Sequence, residues 1–207
     1  MFFSKFLGRR RRKDTADRLY RNLVEQARRP VFYTDFGVAD TVEGRFDLLA
    51  LHVALAMRRL KRADAANASE AKALTQALVD LMFADMDVNL RETGVSDISI
   101  GRKVRKLAEA LYGRLSVYDA ALGMGDPSAR IETMAQALSR NLYRTVALHP
   151  AADRMAYYAF DLDAALKTQA DAALLKGEIA FAGLPRDKGP TAPTPDRATI
   201  MAARFAQ

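Results

Sequence analysis

An all-α fold, an irregular bundle of six or seven helices, follows from three features of the sequence. Apolar residues recur at helical spacing from about residue 15 to residue 176. No stretch of useful length alternates apolar and polar residues as a half-buried strand does. The periodic runs are separated by Pro30, Gly94, the pair Gly123 and Gly125, and Pro150, residues that interrupt helices. No internal repeat or sustained heptad points to a solenoid or coiled coil.

The first helix is expected over residues 14–29, with Ala16, Leu19, Leu23 and Ala27 on one face, and Pro30 ends it. Residues 30–39, aromatic and aperiodic, read as irregular. Asp40, with Glu43 three residues later, resembles a capping box and opens a helix to about Arg62. Phe46, Leu49, Val53, Met57 and Leu60 line one side of it, and Leu48, Leu51 and Leu55 cover much of the other. A helix apolar nearly all round belongs at the centre of a domain. A linker follows, and Ser69 is the expected cap of a helix over 70–92. Another helix spans 101–122, with Gly94 and Gly101 assigned to the loop before it. Asp126 and Pro127 supply a cap and a first-turn proline for the next, whose face runs from Ile131 to Val146. The last long helix is expected over 152–176, with Gly177 its terminator. The organisation is thus a basic amphipathic arm at 1–13, a helical domain at 14–182, and a flexible Pro-rich tail at 183–207.

Composition narrows the chemistry. With no cysteine, there is no disulfide, thiolate metal site or cysteine nucleophile. The net charge is +7, but outside residues 1–13 there are 26 basic against 25 acidic residues, so the basic character is local. No run is long and apolar enough to span a bilayer, and the first residues lack the order of charge and apolar run that marks a secretory signal. The protein is expected to stay inside the cell.

Catalytic patterns are missing: there is no phosphate loop, no serine elbow and no HExxH. Asp85 and Asp87 lie two apart on a helix and point to different faces. His52, inside the most apolar helix, reads as a hydrogen-bonded core histidine, and His149 as a helix-terminal residue. No catalytic residue, metal ligand or cofactor is assigned. Asp80, Asp85 and Asp87 gather late in one helix, and Arg102, Lys103, Arg105 and Lys106 early in the next, both against the helix dipole. Either the two clusters compensate each other across an antiparallel pair, or they face a partner. The long helices on either side of that turn do not suit a DNA-binding helix-turn-helix, so DNA is not an expected partner.

Two segments carry a family resemblance: FGVADTVEGRFDLLALHVALAMRRL at 36–60 and LMFADMDVNLRETGVSDISIGRKVRKLAEALYGRLSVYDAAL at 81–122. Their specific parts are Phe46-Asp47-Leu48-Leu49 leading to His52; Asp85 followed by Arg91, Gly94 and Val95; the basic start at Arg102-Lys103; and Tyr112 with Tyr118-Asp119. Together they resemble the ubiquinol–cytochrome c chaperone family, over roughly residues 15–180. The resemblance implies a non-enzymatic, all-helical assembly factor of the respiratory cytochrome bc complex whose client is newly made cytochrome b. In mitochondrial members it further implies a position near the ribosomal tunnel exit and a small partner subunit. The chain has no tryptophan, which mitochondrial members place in both segments, and Phe83 stands at one such position; it looks like a bacterial member of the kind found in alphaproteobacteria. Partner contacts are expected at Asp85, Arg91, Arg102, Lys103, Arg105, Lys106 and Asp119, and Met82, Met86, Met124, Met134 and Met155 are available to an adaptable apolar surface. Rival readings are a general membrane- or ribosome-associated binding module and a helical enzyme whose site is assembled by the fold.

Phe2, Phe3, Phe6 and Leu7 form an apolar wedge beside Lys5, Arg9, Arg10, Arg11, Arg12 and Lys13. An apolar insertion next to a polybasic run holds peripheral proteins on anionic membranes, whereas RNA would draw on the cations alone. Flotation with anionic vesicles is expected to show binding that weakens with salt and again when Phe2, Phe3 and Phe6 become serine. Binding that survives removal of residues 1–13 would locate a membrane contact elsewhere.

Overall fold

The computed structural model describes residues 2–92 and 97–181, and among these it contains eight helices and no strand. The helices are α1 (Phe2–Ala27), α2 (Val31–Thr34), α3 (Val42–Lys61), α4 (Ala68–Glu92), α5 (Asp97–Gly123), α6 (Pro127–Asn141), α7 (Ala152–Lys167) and α8 (Asp171–Leu174). The all-α expectation holds. Gly94, Val95 and the tail at 183–207 lie outside the described residues.

α3 is the axis, and α1, α4, α5 and α7 all pack against it, while α6 lies against α5 and α7. Fourteen of its twenty residues are buried, so the all-round apolar pattern has the meaning the sequence suggested. The fourteen include three polar side chains, and each is engaged by residues far along the chain. Asp47 meets Arg114 of α5 at 2.7 Å and Arg144 of the α6–α7 connection at 2.8 Å. His52 is held by Tyr158 of α7 through Nε2 at 2.7 Å. Arg59 donates to the carbonyl of Leu166 at 2.9 Å and to the Asp171 carboxylate at 2.6 Å. Asp171 in turn accepts from the Asp64 backbone and the Asn67 amide, and these bonds with the Arg59 contact hold its carboxyl below the usual range. One arginine therefore joins the end of α7 to the turn that starts α4.

Several boundaries differ from the sequence expectation for local reasons. The first helix reaches back to Phe2, through the basic segment. Residues 31–34 form a helical turn where irregular chain was expected. α3 is capped by Thr41, whose hydroxyl accepts from Gly44 N–H at 3.1 Å, while Asp40 pairs with Arg45 at 2.6 Å instead. Ser69 lies inside α4, whose first backbone bond runs from Ala71 to Asn67. Gly101, assigned to a loop, is helical within α5. α6 stops at Asn141 rather than running to Val146: Arg144 adopts φ +54° and reaches Asp47, and Val146 is left 98 % exposed. α7 stops at Lys167 because Arg59 takes up its C-terminal carbonyls and turns the chain.

Two glycines are required by close approach. Gly177, at φ +79°, ends α8 with the paired bonds Glu178 N–H to Ala173 O and Gly177 N–H to Leu174 O, the Schellman pattern. Its carbonyl accepts from the Asn22 amide of α1 at 3.1 Å. Gly44 packs in the first turn of α3, where an added Cβ would stand 2.0 Å from the Ala39 carbonyl oxygen. In an open helical position alanine would gain up to ~1 kcal/mol over glycine. Here Gly44→Ala is expected to lower stability by roughly 1–3 kcal/mol, the cost of overpacking, as measured by urea denaturation. A neutral or stabilising result would show that residues 35–41 move aside freely.

Candidate functional site

A groove of about 770 Å³ is bounded by α3, α4 and α5. Helical spacing builds each wall. Ala54, Met57, Leu60 and Lys61 come from α3, Ala68, Lys72 and Thr75 from α4, and Tyr112, Leu115, Asp119 and Leu122 from α5. Alanines at 54, 68 and 120 keep the helices from closing the space with larger side chains. The floor is apolar and buried at Leu60, Tyr118 and Leu122, whereas Tyr112 at the edge is half exposed.

Charge is confined to the margin. Asp119 is fixed by Arg58, which binds its carboxylate and donates to its carbonyl at 3.1 Å, and Lys61 stands 3.9 Å away. Arg58 also reaches the buried Asp163 of α7 at 3.2 Å, which Arg62 and Lys167 share at 3.3 and 2.8 Å. The margin is thus tied through α3 to α7, so the groove is braced rather than formed by isolated surface side chains. Among the described residues, no group of three or more His, Asp or Glu side chains is placed to hold a metal ion. The groove offers apolar area and an anchored rim, which suits binding of an apolar segment.

The family model for the ubiquinol-cytochrome C chaperone matches residues 34–181, a span that contains all of the groove. The chain belongs to that family. It is similar to the crystal structure of the Cbp3 homolog from Brucella abortus, with a TM-score of 0.74, 32% identity, and coverage of 88% of this chain and 97% of that one. Comparison with curated proteins gave no significant match. As a member of the chaperone family the protein is a non-enzymatic assembly factor.

Of the residues expected to contact a partner, only Asp119 lies in the groove of this chaperone, beside Tyr112 and Tyr118 of the family resemblance. Asp85 accepts from the Tyr20 hydroxyl at 2.8 Å, a bond that joins α4 to α1 and, with burial, raises the Tyr20 pKa. Asp85 also lines a second, small cleft of about 120 Å³ with Val42, Arg45, Phe46 and Asn89. Asp87 pairs with Arg91 one turn on, at 2.8 Å. Arg102, Lys103, Arg105 and Lys106 are exposed on the outer side of α5. The mutual compensation offered for the acidic and basic clusters is not made by ion pairing: among the described residues none of these four cations lies within ion-pair distance of Asp80, Asp85 or Asp87. Asp80 instead accepts from Gln76 at 2.8 Å. In the N-terminal arm Arg12 forms a two-point pair with Glu70 of α4, at 3.2 and 3.0 Å, while Arg10, Arg11 and Lys13 are exposed. The side-chain contacts of Phe2, Phe3, Phe6 and Arg9 lie outside the described residues. Met82, Met134 and Met155 are core residues, so they do not furnish a surface, and Met57 is the groove methionine. Met57 and Leu115 read in the sequence only as stripe residues and Tyr112 only as part of the family resemblance; the groove brings them together.

His52 is the buried, bonded histidine expected. Its Nδ1 faces the Leu48 carbonyl at 2.9 Å, which only accepts, so Nδ1 carries the proton and Nε2 accepts from Tyr158. The Tyr158 hydroxyl accepts in turn from the Gln26 amide at 3.1 Å. Burial pulls the His52 pKa down to about 4. The unfolded chain takes up a proton near the ordinary 6.5 and the folded chain does not, so stability rises with pH across this window. Chemical denaturation should therefore show full stability from this source above pH 6.5 and a loss on the order of 3 kcal/mol as pH falls towards 4. NMR of the His52 ring should show the neutral Nδ1–H tautomer within that window; an imidazolium in the folded state there would refute the assignment.

Proposed function

We propose that this protein receives newly made cytochrome b and promotes its entry into the respiratory cytochrome bc complex, holding an apolar client segment in the groove between α3, α4 and α5. The groove is the observation that carries this reading. Its volume lies in the range of built binding sites, on the order of 300–1,000 Å³, and accommodates the side chains of one or two turns of an apolar helix. Helix-in-groove recognition asks for such an apolar floor and for charges only at the edge. Arg58, Lys61 and Asp119 at the edge would set the register of a client whose apolar run ends in charged residues. The family assignment and the Brucella Cbp3 homolog support the client class. A client that resides in the membrane places the work of the protein at the inner face of the bacterial inner membrane.

Deleting the protein should lower cytochrome b and bc-complex levels while leaving cytochrome oxidase assembly largely intact. A photo-crosslinker at Tyr112 should capture cytochrome b, whereas one at exposed Asp161 on α7 should not. Tyr112→Asp should lower bc-complex content several-fold without shifting the thermal unfolding of the purified protein, because Tyr112 is half exposed. Unchanged haem-b spectra and quinol–cytochrome c reductase activity in the deletion strain would overturn the assignment.

A further inference from the structure

We infer that the end of the bundle where α3 begins is a contact face for an anionic lipid bilayer. Three connections place the pieces at that end. Arg144, in the α6–α7 connection, bonds to Asp47 in the second turn of α3. Asp85 and Asn89, late in α4, share a cleft with Val42, Arg45 and Phe46 at the start of α3. α5 begins at Asp97, five residues after α4 ends at Glu92.

Four large apolar side chains are exposed here: Val42, Val88, Val146 and Leu148. Val146 and Leu148 are not on loose chain. Their connection is fastened by the Arg144–Asp47 pair, by the parallel stack of Tyr143 on His149 at 3.8 Å, and by the bond from His149 N–H to the Ser139 hydroxyl at 3.0 Å. The connection thus displays Val146 outward in a fixed backbone conformation.

A patch of cations lies at the same end. Ile100, Val104, Leu107 and Leu111 take the inner stripe of α5, which leaves Arg102, Lys103, Arg105 and Lys106 across its outer side. Of the acids nearby, Asp40 is paired with Arg45, Asp87 with Arg91 and Asp47 with two arginines. Asp85 accepts from Tyr20 and keeps its charge. Asp97 begins α5, and Glu43, Glu92 and Glu109 are exposed. Four outward cations beside separate apolar knobs fit a surface that accepts each side chain individually, with phosphates above and acyl chains below. RNA would use the cations but not the valines, and among the described residues no exposed aromatic ring stands beside them to stack on a base.

This inference is independent of which client the groove takes. It is tested by flotation of the full-length protein with phosphatidylcholine vesicles, with and without phosphatidylglycerol, at low and high salt. One variant combines Arg102→Gln, Lys103→Gln, Arg105→Gln and Lys106→Gln; a second combines Val146→Ser and Leu148→Ser; a third lacks residues 1–13. The charge variant should lose at least about tenfold in affinity for the anionic vesicles. The serine variant should lose about threefold or more, a loss that remains at high salt. Both should unfold at the wild-type temperature, since the altered side chains are exposed, and the truncated chain should retain measurable binding. The inference is overturned if the wild type does not float, or if the first two variants float as the wild type does while truncation alone abolishes binding. It is equally overturned if the charge variant loses affinity for homopolymer RNA with vesicle binding unaltered.

Discussion

α3 is enclosed by other helices, yet it carries Asp47, His52 and Arg59 among its buried residues and Arg58 at their edge. A buried polar group without a partner costs on the order of 1–3 kcal/mol, and more if charged. The partners are Arg114, Arg144, Tyr158, Leu166, Asp171, Asp119 and Asp163, which belong to α5, α7, α8 and the α6–α7 connection. Apolar contacts alone would let these helices slide or rotate against α3 at small cost. The polar contacts are directional and short, so each neighbour has one position that satisfies α3. The groove inherits that precision, because Arg58 fixes both Asp119 on its margin and Asp163 behind it.

The helices were legible because burial repeats every three to four residues, and that repetition does not depend on which partner is buried. Their ends were less so. A cap is one hydrogen bond, and at the start of α3 Asp40 and Thr41 are both chemically able to make it; a contact five residues along decided between them. Asp40 was drawn away by Arg45, and Thr41 took the cap. The early ends of α6 and α7 depend on Asp47 and Arg59, residues about a hundred positions earlier in the chain. No local pattern around Val146 or Lys167 records those contacts.

The candidate site was the least legible part, for a related reason. A groove residue and a core residue occupy the same stripe of the same helix. Met57 and Leu115 share their stripes with the core residues Val53 and Leu111 and differ in that they line the groove. The charged residues that stood out did so by their chemistry, but chemistry does not say whether the partner is internal. Asp85 and Asp119 are engaged within the fold, while Arg102, Lys103, Arg105 and Lys106 face outward.

The bonds from α1 to the far end of the chain have a consequence for the order in which the molecule is completed. Gln26 waits for Tyr158, and Asn22 for Gly177, partners 132 and 155 residues later. During vectorial synthesis the first helix emerges first and obtains these partners last, after almost the whole domain has left the ribosome. Contacts of such long separation close slowly, because the loop between them must be ordered before they form. The Asn22–Gly177 bond can therefore form only once nearly the whole domain has emerged, and a nascent chain arrested before Tyr158 would leave Phe32 without one of the rings it packs against.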